Sequence, residues 1–230
     1  MTRPTELLLV HGAWHGSWAF DAFVPILAAR GWTARTVDLA SAGSPQADLH
    51  DDAATVRRSL DAHPAPTVVV GHSYGGYVIS EGAAGAPNVV GTVYLCAGMP
   101  DVGEPVWTDF TDPLQVGPWI TVDPEAGVTV ARDAEAVFYG DCPPDVAEQS
   151  ARRLRPQSLR SFMTPVTAAA WRQLPSAYLV CDSDRCLLPD VQGTLANRAG
   201  YVDHLAASHS PFLSQPHAVA QFIESAITRF

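Results

Sequence analysis

Residues 67–76 read Thr-Val-Val-Val-Gly-His-Ser-Tyr-Gly-Gly: an apolar, β-branched run stops at a glycine and turns through a serine into two more glycines. β-Branched residues suit a buried strand, and the small residues that follow suit the start of a helix. Few local arrangements accept that transition. Gly71 and Gly75 flank Ser73 at the G-x-S-x-G spacing, at which the serine occupies a strained strand-to-helix turn. A Cβ two residues before or after it would meet neighbouring backbone. The turn pushes the hydroxyl out beyond the sheet. A helix beginning near Tyr74 aims its first unpaired amides at the same spot, which supplies partial positive charge for a developing oxyanion. Stripped of context, the pattern is an ordinary glycine-rich turn. The strand run before it and the small-residue helix expected over 77–86 make it a candidate nucleophile.

The rest of the chain repeats this rhythm. Residues 6–10 read as a buried strand that leaves through His11-Gly12-Ala13-Trp14. Gly12 permits a sharp turn, so the Ala13 amide is expected to face Ser73 as one oxyanion donor, with the Tyr74 amide as the other. His15 and Trp18 read as structural, the histidine satisfied by loop carbonyls and the indole anchoring a helix over 17–30. A strand over 33–37 is followed by a helix whose Leu49, Ala53, Val56 and Leu60 share one face, with Asp51, Asp52, Arg57 and Asp61 expected in water. Further strands are expected at 89–95, 177–181 and 201–205, and helices at 189–199 and 217–227. Strands alternating with helices mean βαβ units. The expected fold is therefore α/β, with a six-stranded, mainly parallel sheet flanked by helices.

Between 101 and 167 the rhythm breaks into proline, aromatics and a short helix-like run at 144–154. A segment that long is not a plain loop. It reads as an inserted, mainly helical cap, with 1–100 and 168–230 as the core. Its place after a strand neighbouring the elbow would set it over Ser73, and Trp107 and Phe138, with Trp14 from the core, are expected to line the substrate pocket.

A serine hydroxyl needs a base, and the base needs an orienting carboxylate. His209 lies just past the last expected strand; His217 is the weaker rival. Asp182 and Asp184 both follow the fifth strand, and Asp101 follows the fourth. Asp184 sits deeper in its turn, where the chain should swing toward His209, and is the preferred acid.

A formal charge of -10 argues against nucleic acid or an anionic membrane as partner. All 14 basic residues are arginine. The four cysteines form no C-x-x-C pair and no metal-ligand spacing, so no metal, cofactor or redox motif is expected. The apolar run at 7–10 is too short for a signal peptide, and no stretch has membrane-span length. A cytoplasmic protein, monomer or homodimer, acting on a small molecule is the expectation.

The blocks His11-Gly-Ala-Trp-His-Gly-Ser-Trp18, Gly71-His-Ser-Tyr-Gly-Gly76, Cys181-Asp-Ser-Asp-Arg185 and Ser208-His-Ser-Pro-Phe-Leu-Ser-Gln-Pro216 resemble the small α/β-hydrolases of the plant methylesterase and hydroxynitrile lyase group and their bacterial relatives. The resemblance implies the α/β-hydrolase fold, a Ser73–His209–Asp184 triad, and an oxyanion hole from the Ala13 and Tyr74 amides. It implies cleavage of a small carboxylic ester, aryl or methyl, through an acyl-enzyme on Ser73. The alternative is a hydrolase, thioesterase, cyclase or lyase acting on an aromatic, polyketide-like compound. Two departures argue against the lyases of that group. One branch has lysine where Ser210 stands, and the other has asparagine in place of Gly12.

Overall fold

β1 (Glu6–Val10) carries four consecutive aliphatic residues, so both of its faces must be covered. The computed structural model, which describes residues 6–230, places it inside a six-stranded sheet; the first five residues of the expected core lie outside the described residues. β1 pairs in parallel with β2 (Thr33–Val37) on one side and with β3 (Thr67–His72) on the other. β3 is followed outward by β4 (Val89–Leu95), and the insertion after β4 carries β5 (Ile120–Asp123), β6 (Val128–Ala131) and β7 (Gln157–Ser158). β8 (Ser176–Cys181) and β9 (Tyr201–Leu205) complete the main sheet in the order β2-β1-β3-β4-β8-β9, every pair parallel.

Period-two alternation sends side chains to two cores. Leu7, Leu9, Val68, Val70, Val93 and Leu95 face α1 (Phe23–Ala29) and the C-terminal helix Pro216–Ile227. Leu8, Val10, Val69 and Tyr94 face α2 (Leu49–Asp61) and α3 (Gly75–Gly82). The helix expected over 17–30 is split. A 3₁₀ turn at Ser17–Phe20 precedes α1, because Pro25 has no N–H for the Asp21 carbonyl and its ring would clash there in a continuous helix.

The inserted segment contains α4 (Ala134–Phe138), α5 (Pro144–Arg152) and α6 (Leu159–Met163). Of these only α5 matches the run expected at 144–154, and beside the helices the segment holds a small antiparallel sheet in the order β5-β6-β7. Its hairpin turns through Gly127, which adopts φ 69°, a conformation glycine accepts at little cost. Strands of four and two residues give too short an alternation to stand out in a sequence.

One charge lies on the wrong side of α2 from where it was expected. Asp52 is fully buried rather than in water, because it falls three residues after Leu49 and four before Val56, on the apolar face itself. Arg57 is half-buried and donates to the Gly82 and Ala84 carbonyls.

Candidate active site

The strand–elbow–helix unit places Ser73 at φ 54°, in the left-handed region that a non-glycine residue rarely occupies. What allows it is close packing around glycines. A Cβ on Gly71 would lie 2.8 Å from the Gly75 carbonyl oxygen, and one on Gly75 would lie 2.6 Å from that of Val10. The Ser73 carbonyl accepts from the amides of Gly76 (3.0 Å) and Gly98 (3.1 Å), which pins the turn.

His209, in the loop after β9, brings Nε2 to 2.8 Å from Ser73 Oγ. Its Nδ1 lies 2.7 Å from Asp184 Oδ2. Both imidazole and carboxylate are buried. Asp184 is held in turn by the amides of Cys186 (2.7 Å) and Leu187 (3.0 Å) and by Gln192 Nε2 (2.9 Å), from α7 (Pro189–Ala196). The His209 carbonyl accepts from His72 Nε2 at 2.7 Å and from the Cys96 thiol at 3.3 Å.

Four histidines are buried, and their titration separates them. Burial lowers His11 to about 4 and His15 to about 3, and takes His72 well below the ordinary value. His209 is also opposed by burial. The adjoining Asp184 carboxylate outweighs that and holds it well above the ordinary value. The competing residues lie elsewhere: Asp182 bonds the exposed His204, Asp101 pairs with Arg172, and His217 is exposed.

Around Ser73 the loop after β1 comes close. A Cβ on Gly12 would lie 2.9 Å from Ser73 Cβ. Among the described residues, neither the Ala13 nor the Tyr74 amide donates to a protein acceptor. His15 is structural as expected: Nδ1 meets the Ala13 carbonyl at 2.7 Å, the Tyr139 hydroxyl meets Nε2 at 2.7 Å, and Trp18 stacks on the ring.

Aromatics from the inserted segment gather beside Trp14 and His209. Trp14 packs against Trp119, Phe138 and Phe162 with centroids 5.4–5.8 Å away. Phe138 also contacts the His209 ring at 5.7 Å. Phe138 thus stands beside His209 and Trp14 against Phe138, while Trp107 stacks on Phe162 at 4.3 Å.

His72, Cys96 and His209 bring potential metal-ligating atoms within 4.8 Å of one another. Both His209 nitrogens and His72 Nε2 are already engaged. The donors left over are too few for a closed metal site. Gln192, which donates to the Asp184 carboxylate, carries no signal in the sequence that would have marked it as part of the site.

The chain belongs to the Alpha/beta hydrolase family, whose model matches residues 7–222. Among the described residues no helix is long and apolar enough to cross a membrane. The particular relatives include the alpha/beta hydrolase nvfD of Aspergillus novofumigatus, 30% identical over 248 residues that cover 98% of this chain and 97% of that one. Methylesterase 2 of Arabidopsis thaliana is 25% identical, over 95% of this chain and 96% of its own. The crystal structure of a pyrethroid hydrolase from Sphingobium faniae is 26% identical and superimposes with a TM-score of 0.82 over 97% of both chains.

Proposed function

We propose that the protein is a serine hydrolase that cleaves a small, neutral carboxylic ester, aryl or methyl, through an acyl-enzyme on Ser73. The observation that carries this reading is the continuous hydrogen-bonded line from Ser73 Oγ through the His209 imidazole to the buried Asp184 carboxylate. In the attack step His209 Nε2 takes the hydroxyl proton while Ser73 Oγ bonds the ester carbon. The resulting oxyanion is stabilised by the Ala13 and Tyr74 amides, which have no protein acceptor of their own. His209 then gives its proton to the departing alcohol. Water enters, loses a proton to the same nitrogen as it bonds the acyl carbon, and that proton then passes to the departing Ser73 Oγ, which frees the acid and restores the serine hydroxyl.

Residues 101–167 act as a cap in this reading. The roof of Trp14 and Phe138 offers the acyl group an apolar surface, and the methylesterase and pyrethroid hydrolase among the relatives are in keeping with ester substrates. The close approach of Gly12 to Ser73 leaves no room for the side chain that one lyase branch carries there. A cytoplasmic location completes the proposal. The test is hydrolysis of a small activated aryl ester by the wild type and by Ser73→Ala. A rate loss of about a thousandfold or more is expected, with fluorophosphonate labelling confined to Ser73. Near-normal turnover by the alanine variant would overturn the scheme.

A further inference from the structure

Asp52 is a buried carboxylate that forms no part of the Ser73 line. Its oxygens accept from the Ser41 amide (3.0 Å), from the Ser41 hydroxyl and from the Tyr74 phenol (2.8 Å). Ser41 Oγ, whose one proton goes to Asp52, accepts in turn from Gln157 Nε2 at 2.6 Å. The second amide proton of Gln157 goes to Ser161 Oγ at 2.7 Å, and Ser161 donates to the Ser158 carbonyl. With both protons committed, Gln157 has only its carbonyl Oε1 to present at the far end. That oxygen accepts from the Trp14 amide at 3.2 Å.

Trp14 is the residue next to Ala13, and it sits at φ 63°, a backbone conformation disfavoured for a bulky side chain. The residues that keep it there come from the inserted segment. Beside Gln157, the Arg155 amide donates to the Trp14 carbonyl (2.9 Å), and the indole donates to Thr129 Oγ1 (3.0 Å). If Gln157 flipped, its NH₂ would face the Trp14 N–H, donor against donor, and the loop would lose an anchor.

We propose that Asp52 is a positioning residue for the oxyanion loop: as a buried acceptor it fixes the direction of every hydrogen bond from Ser41 through Gln157 to the Trp14 amide, and thereby the set of the Ala13 amide over Ser73. Its phenol partner, Tyr74, carries the second proposed oxyanion amide, so one carboxylate steadies both sides of the hole. Burial pushes the Asp52 carboxyl up to about 6, with the Ser41 and Tyr74 donors opposing that rise, so it remains an acceptor at neutral pH and above. This role rests on the ester-hydrolase reading of Ser73.

The experiment is steady-state hydrolysis of a small activated aryl ester at pH 8 by the wild type, Asp52→Asn, Gln157→Met and the double variant, with competent Ser73 counted by fluorophosphonate. Asparagine keeps the shape of Asp52 but turns one acceptor into a donor, and methionine cannot receive the Trp14 N–H. Each single change is expected to lower kcat per labelled site by about tenfold or more while KM stays within about twofold. The double variant is expected to be no slower than the slower single one, because both cut one relay. Should Asp52→Asn fail to fold, Ser41→Ala interrupts the same relay and carries the same expectation. A wild-type kcat in a folded Asp52→Asn or Ser41→Ala protein, or effects that multiply in the double variant, would overturn the positioning role and leave the hydrolase reading intact. A wild type that neither turns over the ester nor labels at Ser73 would sink the hydrolase reading, and the positioning role with it.

Discussion

A histidine that serves as a base must be neutral to work, and among the described residues His209 is the one buried imidazole hydrogen-bonded to a carboxylate. Because Asp184 raises its pKa against the pull of burial, the protonated form persists above the ordinary value of 6.5. The sign follows: kcat/KM for a neutral ester should climb with pH along a limb whose midpoint lies above 6.5. Asp184→Asn removes the raising charge, so that midpoint should move down while the plateau rate falls by orders of magnitude. A pH–rate profile in which the limb stays put would count against the pairing. Single residues also show what a sequence discloses. That Ser73, His209 and Asp184 come together was legible because each follows the end of a strand, at a place where the fold needs a loop. Asp52 was misread because its residue type was weighed above its helical position; Gln157 is a neutral amide whose partners Trp14 and Ser41 lie far along the chain, and Gln192 a neutral amide that reaches Asp184 only through the turn before α7.

The elbow works as an element because three glycines let β3, α3 and the neighbouring loops approach without side chains between them. Gly76 is the tightest of the three, since a Cβ there would run into the Gly98 carbonyl oxygen and the Ala97 side chain. Gly76→Ala is therefore expected to cost about 2 kcal/mol or more and to lower Tm by about 4–8 °C. Gly193, inside α7, meets nothing within 4 Å. Alanine there should stabilise the fold by about 0.5–1 kcal/mol of helix propensity and so raise Tm. Opposite shifts from the same substitution, read by thermal unfolding, separate close approach from mere conformational freedom. All six core strands were legible: β1, β3, β4 and β8 carry apolar runs that admit few other readings, and the shorter, more polar β2 and β9 fall where the alternation with helices needs a strand. The break in the helix before Pro25 and the β5–β6 hairpin were not: one depends on a single missing N–H, the other on strands four residues long.

Across the whole molecule, a formal charge of -10 surrounds a site flanked by aromatic side chains. Anionic esters are thus expected to meet repulsion on approach that neutral ones escape. Raising ionic strength from about 0.01 to 0.15 M, which shortens the screening length from about 30 to 8 Å, should increase kcat/KM for an ester bearing a carboxylate and leave a neutral analogue unchanged. Equal salt responses would argue that the long-range field does not reach the entrance. The parallel sheet was legible at this scale from the alternation of strands and helices, whereas its strand order and the contacts joining the inserted segment to the sheet were not, since the latter link Trp14 to residues 115 and more positions away.

Those contacts bear on any attempt to recombine this chain with a relative. The strained backbone at Trp14 is kept in place by the amide of Arg155, the side-chain carbonyl of Gln157 and the hydroxyl of Thr129. A chimera that takes its upper storey from another hydrolase and keeps this sheet must import those three groups in the same geometry. Otherwise it inherits a slack loop above an intact nucleophile.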